Sequence, residues 1–123
     1  MRTTVAVGIA GAFGAVARYG LEGVVSRRGG IFPWGTFLVN VSGALVLGFL
    51  FTLLTGRFTI APWLRSALLI GFLGAYTTFS TLSLETFRLL EDGAYALATA
   101  NALGSLGLGL AAIYVGVVLG RVI

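Results

Sequence analysis

Four apolar runs, each close to the length of a bilayer crossing, set the terms for everything else in this chain. They cover about residues 3–25, 34–54, 62–84 and 94–119. About 20 residues at 1.5 Å per residue cross a hydrocarbon core of about 30 Å. The links between runs hold the residues that end helices: Arg27-Arg28-Gly29-Gly30 with Pro33, Thr55-Gly56-Arg57 with Pro62, and Glu91-Asp92-Gly93. Trp34, Trp63 and Tyr95 stand at run ends, where aromatic belts meet the headgroups. The pattern predicts an all-α integral membrane protein, a single four-span domain over residues 1–123.

Composition agrees, because 58% of the 123 residues are hydrophobic and only 10% are charged. Such a chain cannot cover itself with polar groups, so lipid is its solvent. Without cysteine or histidine it has no disulfides, thiolate chemistry or the usual ligands of zinc and haem. All 8 positive charges are arginine and the net charge is +4. They flank the apolar runs singly or as the pair Arg27, Arg28, a pattern of interface anchors that argues against nucleic acid as a partner. Arg2, the apolar stretch after it and Ala15-Val16-Ala17 loosely imitate a secretory leader, but apolar character continues past Arg18 to Val25, so the run reads as a span.

With four spans, Arg2, Arg57, Arg65 and Arg121 share one side of the membrane. Arg27, Arg28 and Arg88 lie on the other, with Arg18 nearby inside the first run. So even a distribution sets no orientation. Insertion both ways round, which would let two copies pair as an inverted, dual-topology homodimer, is favoured over a single topology fixed by Arg2 or by other factors. Glycines inside the runs, among them Gly8, Gly11 and Gly14 and the pair Gly116, Gly120, predict close helix packing. No internal repeat is visible.

One stretch breaks the apolar pattern. In Gly74–Ser83, five of the last seven residues carry a hydroxyl. At membrane depth these groups need partners or a wet path. Each could bond back to its own helix one turn earlier. Alternatively Gly74 and the β-branched residues interrupt the third helix near its middle and release carbonyl oxygens toward a hard cation. The positive edge of the Phe79 ring can face an anion. Thr36, Asn40 and Gly43 share a face of the second run, so Asn40 is either a helix–helix hydrogen bonder or an N–H donor to a passing anion. Arg18 is the one arginine well inside a run. A structural role, through snorkelling or pairing with Glu22, is favoured over ion contact.

Three motifs then narrow the choice: Gly11-Ala12-Phe13-Gly14-Ala15-Val16-Ala17-Arg18-Tyr19, Gly35-Thr36-Phe37-Leu38-Val39-Asn40-Val41-Ser42-Gly43 and Gly71-Phe72-Leu73-Gly74-Ala75-Tyr76-Thr77-Thr78-Phe79-Ser80-Thr81. In this order they closely resemble the signatures of the CrcB/Fluc fluoride-channel family, over nearly the whole chain. The resemblance implies a passive fluoride-selective channel, no enzyme, that exports fluoride from the cytoplasm through the cell inner (plasma) membrane. It implies an antiparallel pair of identical subunits in lipid with a central Na+ ion. By motif position, the backbone carbonyls of Gly74 and Thr77 would hold the sodium. Asn40, Phe79, Ser80 and Thr81 would line the fluoride path, with Asn101 and Ser105 in the fourth run. The family usually has a second phenylalanine where this chain has Leu82, so half of the aromatic coordination does not carry over; Phe79 with Asn40 and the hydroxyls is expected to suffice. The rival readings are a small dual-topology proton-coupled exporter, which needs a carboxylate at membrane depth, and a non-transporting membrane assembly protein.

Overall fold

The computed structural model describes all residues, Met1–Ile123, and is helical throughout, without strands. Helix α1 is Arg2–Ser26. Helix α2, Trp34–Thr52, ends in a π-helical turn, Leu53–Arg57. The third crossing is composite: α3 (Pro62–Ser66), a π-helical turn (Ala67–Phe72), α4 (Leu73–Tyr76) and α5 (Phe79–Glu91). Helix α6 is Tyr95–Val122. Four segments are long and apolar enough to cross a membrane: Arg2–Ser26, Trp34–Arg57, Pro62–Glu91 and Tyr95–Val122.

The links form as their residues dictate. Gly29 and Gly30 adopt φ of 79° and 100°, a region closed to most side chains, and Pro62 occupies the first turn of α3, where its missing N–H costs nothing. The third crossing ends at Glu91, seven residues beyond the apolar run. Glu85 and Arg88 end the hydrophobic pattern but not the helix, because backbone hydrogen bonding continues where polar side chains reach the interface.

With no hydrophobic force between helices in lipid, packing relies on close backbone approach. The longest contact is α2 along α6. A side chain at Gly48 would meet the Ile113 carbonyl oxygen at 2.5 Å, and one at Gly116 would strike the Leu45 carbonyl. The Gly116, Gly120 pair therefore packs inside the protomer, against α2. Helix α1 lies on the π-helical turn of the third crossing, with Gly14 against Phe72 and Gly71 against Val7. Gly8 has nothing within 4 Å, so of the three glycines expected to pack closely only Gly11 and Gly14 do. Steps of three residues drift about 60° per step around a 3.6-residue helix, so the first and third sit on different faces.

Candidate ion site

The third crossing leaves helical geometry at Thr77 and Thr78, whose backbones are extended (φ −84°, ψ 158° and φ −149°, ψ 114°). Gly74 is not where the chain turns. It lies within α4 with ordinary helical backbone, and the two residues that depart from the helix are β-branched and favour extended conformations. What glycine contributes at 74 is space, since an added Cβ would meet nothing within 4 Å.

Asn40 clamps this segment from α2. Its Oδ1 accepts the Thr78 N–H at 2.8 Å, and its Nδ2 donates to the Thr78 carbonyl at 3.1 Å. The amide thus satisfies both backbone groups of one residue, as a neighbouring strand would, and retains one N–H. Thr78 is also the N-cap of α5: its Oγ1 accepts the Thr81 N–H at 3.2 Å.

These two bonds decide which carbonyls lie bare. In an unbroken helix the Thr78 N–H would bond to Gly74 and the Thr81 N–H to Thr77. Both donors are diverted, the first to Asn40 and the second to the Thr78 hydroxyl. Of the other carbonyls in this turn, Leu73 receives the Thr77 N–H and hydroxyl, and Ala75 receives Nε of Arg18 at 3.2 Å. Leu73 keeps its helical donor and Ala75 gains Arg18, whereas Gly74, Tyr76 and Thr77 lose theirs without a substitute; of these three, Gly74 and Thr77 line one groove. Thr77 is held from behind, because its Cγ2 lies where a side chain at Gly43 would be. Tyr76 stacks on Phe72 at 6.1 Å and shares a 2.9 Å hydrogen bond with Ser42.

Donor accounting also sorts the hydroxyls. Thr77, Ser83 and Thr86 spend their protons on carbonyls of their own helices. Thr78 donates to Thr81 at 3.1 Å, so the Thr81 proton is free, and Ser80 is exposed. On α6, Asn101 is fully buried and donates through Nδ2 to Thr86 at 2.9 Å. Thr86 has already donated to Leu82, which fixes the orientation of the Asn101 amide. Its Oδ1 and the Ser105 hydroxyl are buried without partners.

A groove of about 900 Å³ brings Asn40, Gly74, Thr77, Phe79, Leu82 and Ser105 together. Phe79 stands 83% exposed on it. Ser80, Thr81 and Asn101 do not line this groove. At 100° per residue, α5 directs Phe79, Leu82, Ser83 and Thr86 to one face and turns Ser80 and Thr81 to another. Arg18 reaches the back of the site, donating to Ala75 and lying 4.0 Å from Glu22.

Comparison with known proteins places the chain. Residues 5–117 match the family model described as CrcB-like protein, Camphor Resistance (CrcB). A protein of Nitratidesulfovibrio vulgaris named fluoride-specific ion channel FluC is 46% identical over 124 residues, covering 100% of both chains. Namesakes from Magnetococcus marinus and Geobacter sulfurreducens are 48% and 45% identical, the first covering 95% of this chain and 96% of its own length, the second 98% of each. This chain belongs to the CrcB-like family.

Several residues of the site escape sequence reading. Thr78 carried a usable signal, a hydroxyl immediately before a helical segment. Thr36 and Glu85 carried none. They are 49 positions apart, yet the Thr36 hydroxyl donates to Glu85 and lies 3.5 Å from Glu22, drawing three crossings together.

Proposed function

We propose that the chain works as a passive fluoride-selective channel that exports fluoride from the cytoplasm, as an inverted homodimer in the cell inner membrane with a central sodium ion. The observation that carries this reading is that, of the three carbonyls left without donors at the break, those of Gly74 and Thr77 belong to residues that line the groove. Each would cost several kcal/mol against hydrocarbon, and they lie in an open groove beside an exposed phenylalanine. A second, inverted copy laid on the groove covers both, and its own Gly74 and Thr77 come with it. The relatives named fluoride-specific channels supply the choice of ion.

The oxygens fit a hard monovalent cation: neutral backbone carbonyls, kept from their helical donors by Asn40 and Thr78. Bound there, sodium would supply a fixed positive charge at the dimer axis. The remaining work belongs to side chains. An anion entering the protein loses water and needs donors in its place. The second Asn40 N–H, the Thr81 and Ser80 hydroxyls, the unpartnered Ser105 hydroxyl and the ring edge of Phe79 provide them. Asn101 holds Thr86 and positions α6 against α5. Because Phe79 and the Ser80–Thr81 pair face different sides of α5, complete paths form only when both copies are present, so the break in the third crossing serves the pore and the dimer axis together. No covalent bond is made or broken.

Purified protein in liposomes tests the reading: fluoride should leave, with little chloride, when a potassium ionophore collapses the voltage. No fluoride release would end it. Dialysis into sodium-free buffer should abolish release, and sodium should restore it where potassium does not. The convergence of Glu22 and Glu85 on Thr36 favours the proton-coupled exporter as a second reading; release that required a pH gradient would select it.

A further inference from the structure

The arginines are evenly divided between the two ends of the protein, but the net charge is not. Arg2, Arg57, Arg65 and Arg121 lie at the end where α1 begins and α2 and α6 finish, and no acidic side chain lies with them. Glu22, Glu85, Glu91 and Asp92 all belong to the opposite end, where they balance Arg18, Arg27, Arg28 and Arg88. The whole +4 charge therefore sits at one end. The only ion pair in the protein, Arg18 with Glu22, is at the other.

At the basic end, where Gly120 packs on Thr52, the ends of α2 and α6 line an open cavity of about 650 Å³ with Phe51, Thr52, Thr55, Arg57, Gly120 and Arg121 in its wall. Arginine at a helix C-terminus complements the dipole, which accounts for one arginine on each helix but not for both lining one cavity. Two guanidiniums also outweigh the two helix ends, each worth roughly half a negative charge. The cavity is therefore electropositive. The Thr52 and Thr55 hydroxyls donate to the Gly48 and Phe51 carbonyls, so their oxygens enter the site as acceptors. Half-exposed Phe51 supplies an apolar wall on the inner side.

We propose that this cavity binds the headgroup of an anionic phospholipid. Its phosphodiester would lie between Arg57 and Arg121, with a headgroup hydroxyl or ammonium donating to Thr52 or Thr55. The depth is right. The crossings Trp34–Arg57 and Tyr95–Val122 contain 24 and 28 residues. At 1.5 Å per residue they extend about 36 and 42 Å, beyond a hydrocarbon core of about 30 Å, so their ends emerge among phosphates. A free phosphate offers the same anion without the headgroup donor or the chains that would meet Phe51.

Native mass spectrometry of the full-length protein, presented with equal phosphatidylglycerol and phosphatidylcholine, tests this independently of the ion conducted. Wild type should retain phosphatidylglycerol with a preference on the order of tenfold, as one strong charge-assisted contact gives. The double variant R57Q/R121Q should lose that preference, while R2Q/R65Q, which removes equal charge from the same end, should keep it. Gly56 also lines the cavity, and a Cβ there would meet nothing within 4 Å, so Gly56→Leu should enter the site from an uncrowded position and cost the preference. An excess of inorganic phosphate should leave the lipid bound. Undiminished preference in Gly56→Leu, equal loss in R2Q/R65Q, or displacement by phosphate would overturn the proposal.

Discussion

Replacing Asn40 by leucine keeps the number of side-chain heavy atoms and the branch at Cγ and deletes two hydrogen bonds, at 2.8 and 3.1 Å, to the backbone of Thr78. Leucine is the useful substitution because alanine would leave room for a water to replace the amide. If the extended segment persisted, the Thr78 N–H and carbonyl would each lose a partner, at about 1–3 kcal/mol apiece. The chain has an escape. Rotated into helix, Thr78 would bond to the Gly74 carbonyl and join α4 to α5. A penalty of about 2–6 kcal/mol on the open turn lowers the ratio of open to closed turn by between roughly 30-fold and 20,000-fold, at 1.4 kcal/mol per decade. The amide's remaining N–H disappears as well. Fluoride efflux from proteoliposomes should therefore fall at least about 30-fold, and amide exchange at Thr78 should slow as the helix closes. Efflux within about threefold of wild type, with unchanged exchange, would refute the reasoning that Asn40 holds the break open.

Other consequences are equally direct. Gly43→Ala places a methyl group onto Thr77 and within 3.1 Å of the Tyr76 ring, so it should destabilise the protein by about 1–3 kcal/mol and reduce efflux, whereas Gly20→Ala, with nothing within 4 Å, should leave the thermal midpoint unchanged or raised. Thr36→Val removes the donor shared by Glu22 and Glu85 and should cost about 1–3 kcal/mol in thermal unfolding. Thr36→Ser should recover most of that loss. Leu82→Phe adds a second ring to the groove that Leu82 already lines, and efflux should stay within a few-fold of wild type. A silent parent made active by that change would show that one aromatic residue per subunit is too few.

Much of the fold was legible because lipid imposes a simple rule. Backbone groups must be satisfied within the segment, so long apolar runs become helices, and prolines and glycines divide them. The ends proved harder to read. Hydropathy changes at Glu85, but the helix continues to Glu91. Within the site, the hydroxyl-rich stretch announced itself by cost alone: Thr77 and Thr78 were visible as residues out of place in hydrocarbon.

What the sequence determined by itself was local and compositional: four crossings, a polar interruption in the third, a balanced set of arginines and the family to which the motifs point. Tertiary structure decided the use of each polar group. A carbonyl at Gly74 is ordinary until Asn40, 38 residues away in the chain from Thr78, captures the N–H that would have covered it. Arg18 looked like a cost at membrane depth until it met the Ala75 carbonyl. The gathering of Arg57 and Arg121 around one cavity depended on which helix ends come together. Sequence lists donors and acceptors, but only packing pairs them, and in lipid the groups left unpaired are the ones available to bind ions.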